Sequence, residues 1–152
     1  MLSAIFEGCR YEEGPVISFR SVKKRLLGTW TVTGYTSDGI DSLQSYKDSC
    51  GCEVEFPNPN TDAERWQLGF THCYSYFDSI GFVVICHYSF SNNKNIMSID
   101  KPVHPISEFG FKSFGPMLVP IDWEILRLTN DDFKISANTN NHNYIVTFKK
   151  AK

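Results

Sequence analysis

The sequence predicts an all-β domain, an antiparallel up-and-down β-barrel of about eight short strands. Three observations predict it. Apolar and polar residues alternate with a period of two in run after run, most cleanly towards the C-terminus. Asn, Asp, Gly and Pro separate those runs at short intervals. No stretch of ten or more residues carries a sustained helical period, although the segments Val22 to Leu26 and Asp62 to Leu68 can each form a turn or two. With 152 residues, 41% hydrophobic and 14% aromatic, the chain can bury one core without staples.

Residues 1–21 show no period and are expected to be a signal remnant and tether; residues 22–152 form the barrel domain. Leu27 to Tyr35 alternates so that Trp30 and Val32 share one face while Thr29, Thr31 and Thr33 share the other, the mark of a half-buried strand. Asp38-Gly39 opens a polar connection. A short strand from Cys52 to Phe56 is cut off by Pro57 and Pro59. Trp66 to Phe77 turns at Asp78 to Gly81 and returns from Phe82 to Phe90 as an aromatic hairpin, and Ile96 to Ile99 follows an Asn-rich turn. Pro102, Pro105, Pro116 and Pro120 reduce the next stretch to edge strand and loop.

The last three strands are the clearest. They run from Trp123 to Leu128, Phe133 to Ala137 and Tyr144 to Lys149, with turns at Asn130-Asp131 and Asn140-Asn141. If Asn140-Asn141 is a two-residue turn, Ala137 opposes Tyr144, Ile135 opposes Val146 and Phe133 opposes Phe148. All three pairs are apolar, so a single register buries one face and wets most of the other.

The net charge of −2 excludes a nucleic-acid role, which needs clustered Lys and Arg. Lys23-Lys24-Arg25, the one dense basic run, reads as a solvated edge. No apolar stretch reaches the ~18–20 residues of a membrane helix. Catalytic signatures are missing too: there is no Gly-x-Ser-x-Gly elbow, no His-Glu-x-x-His and no phosphate-cradling Gly loop. Glu53 and Glu55 share a strand face and read as a solvent-facing row. A non-enzymatic protein without cofactor is expected.

Five cysteines raise two further questions. A loop from Asp78 to Gly81 would set Cys73 against Cys86, within disulfide reach, and His72 against His87. Soft ligands for zinc are then also nearby. Adjacent strand residues point to opposite faces, however, and the spacing fits no zinc knuckle, so no metal is expected. Cys50 and Cys52 read as small buried residues or as partners of separate neighbours, not as a bonded pair.

Leu27-Gly28-Thr29-Trp30, with Gly and Trp two apart at the start of the first strand, resembles the opening motif of lipocalin and wider calycin barrels. The closing stretch from Trp123 to Phe133, with Tyr144 to Lys150, is similar to the C-terminal hairpins of bacterial lipocalin-like lipoproteins, common in Bacteroidetes. The resemblance implies that Trp30 closes one barrel end beneath a basic side chain from a late strand, a cation–π contact worth ~0.5–2 kcal/mol. Arg127 and Lys149 compete for that role. It also implies a barrel that either holds one small hydrophobic ligand or is plugged by its own aromatic rings. In the plugged case, exposed loops including Gly110 to Pro120 would make protein contacts.

Met1 to Cys9, M-L-S-A-I-F-E-G-C, resembles the end of a bacterial lipoprotein signal, although it has no basic leader and places Glu7 where a small residue is usual. The resemblance implies lipidation at Cys9, a membrane-anchored monomer and a place in the bacterial cell envelope, outer membrane included.

Overall fold

Ser21 caps a five-residue helix, α1 (Val22–Leu26), its hydroxyl accepting from the Lys24 amide at 3.3 Å. In this computed structural model, residues 21–49, 53–56, 66–74, 81–91, 93–102, 121–139 and 141–152 are described. Gly28 then takes a φ of +106°, open to glycine at low cost, and turns the chain from α1 into β1 (Gly28–Ser37). A Cβ there would sit 3.3 Å from the Lys150 side chain.

Asp38 and Gly39 both have positive φ and join β1 to the two-residue β2 (Ile40–Asp41), the geometry of a tight type I′ hairpin. There follows α2 (Leu43–Ser49), begun by the Asp41 carboxylate accepting from the Leu43 amide at 3.0 Å. Sequence alone read this segment as a polar connection, because a seven-residue helix whose one buried side chain among those described is Tyr46 leaves no periodic stripe. The remaining strands are β3 (Glu53–Phe56), β4 (Trp66–Tyr74), β5 (Gly81–Phe90), β6 (Ile96–Pro102), β7 (Ile121–Leu128), β8 (Asp132–Thr139) and β9 (His142–Lys150).

Every pairing is antiparallel, and from β3 onward each strand pairs with the next in the chain. β1 pairs with β3 through residues 28–31 and with β9 through residues 30–37, so eight strands follow one another around a barrel and β2 hangs from β1 as a short flap. The β8–β9 register matches Ala137 with Tyr144, Ile135 with Val146 and Phe133 with Phe148, as the apolar alternation requires. A bulge in β1 leaves Thr33 unopposed, and Gly34 resumes the ladder against Thr147.

Two expectations are corrected. Arg25 is not on a solvated edge: it is 4% exposed and donates through Nη1 to the Leu128 carbonyl, while Lys23 and Lys24 stay exposed. The β4–β5 register sets Cys86 opposite Leu68 and Cys73 opposite Phe82, because the strands meet lower than a loop at Asp78 to Gly81 would allow. Five ladder steps are roughly 15 Å, well beyond disulfide reach. Cys9, Cys50, Cys52, His72's side chain and the proline-rich stretch 103–120 lie outside what is described.

Candidate functional site: the two ends of the barrel

The inward faces of the strands fill the barrel unevenly. Trp30, Phe56, Phe133 and Phe148 have no solvent exposure and pack ring against ring, with Phe133 5.8 Å from Trp30, 6.1 Å from Phe56 and 5.0 Å from Phe148 between centroids. Tilted and edge-on rings add attraction to the ~1.5–3 kcal/mol that burial of each large side chain contributes. This end is plugged. Val22 and Leu26 of α1 sit over it, and the Trp30 indole donates to the Leu26 carbonyl at 2.6 Å, tying helix to barrel.

The cation over Trp30 is Lys150, its Nζ 4.6 Å from the ring centroid. Its ammonium also donates to the carbonyls of Arg25 (3.0 Å) and Leu27, covering the end of α1. Burial holds the Lys150 amine below its ordinary pKa, partly offset by Asp131. Neither Arg127 nor Lys149 has this role. Both turn outward and pair with Asp132, Arg127 at 3.5 Å, with side chains 44% and 59% exposed. Lys149 follows Phe148 and therefore points to the opposite face. Arg127 would have pointed inward by simple alternation from Trp123 and Ile125, but a bulge after Ile125 turns it out and Leu128 in.

The opposite end is lined differently. Tyr35 (7% exposed), Ala137 (4%) and the half-buried Tyr144 and Ile121 border it, and α2 lays Tyr46 across Tyr35 with ring centroids 5.3 Å apart. Tyr144 also stacks on Tyr35, with ring centroids 6.3 Å apart. Burial, with Tyr144 nearby, pushes the Tyr35 phenol up to about 12. On the rim, Asp38 Oδ2 lies 2.6 Å from His142 Nδ1 and Oδ1 accepts from the Asn143 amide at 2.8 Å. The Asn143 amide first, then His142, holds the Asp38 carboxyl below its usual range. The contact joins the β1–β2 turn to the β8–β9 turn.

Between the two ends, Trp123 and Met97 oppose one another on β7 and β6, both fully buried. Among the described residues no three His, Cys, Asp or Glu side chains gather in a way that could hold a metal, and no helix is long and apolar enough to cross a membrane. Sequence reasoning missed Lys150 and the aromatic bracket of Tyr35, Tyr46 and Tyr144. Face parity from Phe148 could have found Lys150; α2 left no comparable signal.

No protein-family model matches the chain, and no curated protein matches it in sequence. Among solved structures, it is similar to Japanin from Rhipicephalus appendiculatus bound to cholesterol, with a TM-score of 0.53 and 13% identity over 86% of this chain and 79% of that one. A redesigned β-barrel aligns with a TM-score of 0.49 and 15% identity over 89% of this chain and 99% of the other. The fold is lipocalin-like.

Proposed function

We propose that the chain is a non-enzymatic lipocalin-like protein that takes a small hydrophobic ligand through the end bordered by Tyr35, Ala137 and Tyr144. The supporting observation is the gradient along the barrel axis. One end is sealed by packed rings and α1, whereas the other is bordered by partly exposed apolar side chains beneath a single short helix. Ligand sites favour such concave, mostly apolar mouths. Japanin, a neighbour of the same fold, is bound to cholesterol, which agrees with this class of ligand. The proposal includes a lipid on Cys9 that anchors a monomeric barrel to a bacterial cell envelope, resting on the Gly8-Cys9 signal-like segment.

The test is titration of delipidated protein with cholesterol and with straight-chain apolar probes, followed by calorimetry. Saturable binding of any of them, weakened by Tyr35→Ala, is expected. No saturable binding across the series would overturn the ligand proposal and favour a plugged barrel that works through its loops. For the anchor, growth with a labelled fatty acid should tag the wild-type chain and not Cys9→Ser; equal labelling of the two overturns it.

A further inference from the structure

Trp123 is fully buried on the inward face of β7, and its indole Nε1 has no hydrogen-bond acceptor among the described residues. An unmet buried donor costs about 1–3 kcal/mol, and native proteins seldom leave one without a reason. The contrast lies within this barrel: Trp30, equally buried, donates to Leu26 at 2.6 Å. Among the described residues, Met97 stands opposite Trp123 in the ladder, and Ile125 and Ile99 are buried on the same inward face. Carrying the β7–β8 register one step beyond Glu124 and Ser136 sets Trp123 level with Ala137, the smallest side chain in the buried cluster. Beside Ala137 stands Tyr144 at the open end, so the donor lies just below the proposed entrance.

We infer that Trp123 donates its indole N–H to a neutral oxygen of the bound molecule, whose class is an apolar ligand bearing one hydroxyl or carbonyl. This rests on the open end being a ligand site, as proposed above. A buried carboxylate is disfavoured there because desolvating it is costly and, among the described residues, the cations that reach the interior, Arg25 and Lys150, lie at the sealed end, away from Trp123. A site built around a donor discriminates against an analogue that lacks the acceptor.

The experiment compares decanone with decane on wild type and Trp123→Phe by calorimetry, and follows the indole N–H signals of the wild type by proton–nitrogen NMR. Wild type should favour decanone about tenfold, the value of one hydrogen bond near 1.4 kcal/mol. Trp123→Phe should lose that preference and bind the two probes alike. Decanone, and not decane, should move the Trp123 N–H signal downfield, a readout that survives even if the variant fails to fold. Binding of both probes with no preference, as an internal water on Nε1 would give, or an unmoved Trp123 signal, overturns the inference and leaves the ligand site standing. Binding of neither probe overturns the site itself and the inference with it.

Discussion

Trp30 and Lys150 oppose each other in the β1–β9 ladder, and the lysine ammonium rests 4.6 Å from the indole centroid while donating to the carbonyls of Arg25 and Leu27. One side chain therefore ties β9 to the end of α1 and covers the tryptophan. Lys150→Met keeps the hydrocarbon stem and removes the charge. It should lower the unfolding free energy by ~1–3 kcal/mol, the range for a cation–π contact together with hydrogen bonds from a charged donor. Urea denaturation checks this, and a loss under 0.5 kcal/mol would show that the contact is incidental.

Arg127→Ala and Lys149→Ala are the controls. Both residues reach Asp132 on an exposed face, where ion pairs contribute ~0–1 kcal/mol. Each change should shift the urea midpoint far less than Lys150→Met. If Lys149→Ala proves the more damaging, the assignment of the barrel-closing cation is wrong.

Gly28→Ala places a methyl group where φ is +106° and the Lys150 side chain is 3.3 Å away. Backbone strain of this kind costs about 1–3 kcal/mol. A melting temperature lowered relative to a Gly39→Ala variant, whose added methyl meets nothing within 4 Å, separates crowding from strain alone.

The Tyr35 phenol, raised to about 12, makes the fold sensitive to alkali. A raised pKa means that the folded chain holds the proton more tightly than the unfolded one. Its stabilising contribution is complete below the ordinary tyrosine value near 10 and is lost as pH rises through about 12. Burial raises the Tyr88 phenol as well, so tyrosinate absorbance should show one late-titrating group fewer in Tyr35→Phe, not none; an unchanged profile counts against burial at this end.

Asp38 should govern the rim at the other extreme of pH. Its carboxyl is held low, so the clamp to Asn143 and His142 is present above pH of about 4 and is lost as pH falls through the lower folded-state value. The Asn143 amide shift should titrate with a midpoint below the ordinary aspartate value in wild type and not at all in Asp38→Ala. A midpoint at or above that value contradicts the clamp.

Much of the fold was legible locally. Alternation from Phe133 to Lys149 defines the β8–β9 register because a slip by one residue would turn Phe133, Ile135, Val146 and Phe148 into water. The same parity places Glu53 and Glu55 outside and Val54 and Phe56 inside. Arg127 was misplaced because a bulge changes parity without any mark in composition, and Cys73 was misplaced against Cys86 because hairpin register depends on where the ladder ends. The candidate site was less legible still: Tyr35, Tyr46, Trp123 and Tyr144 come from four separate elements.

What the sequence by itself determined is the class of fold and, away from bulges, which apolar side chains face inward, since a two-residue period and turn chemistry act within a few neighbours along the chain. Only tertiary structure decided which cation covers Trp30, which end is plugged and which indole lacks an acceptor among the described residues. Those outcomes depend on how β1 meets β9 and how α1 and α2 seat on opposite ends, contacts between residues more than a hundred positions apart in the case of Trp30 and Lys150.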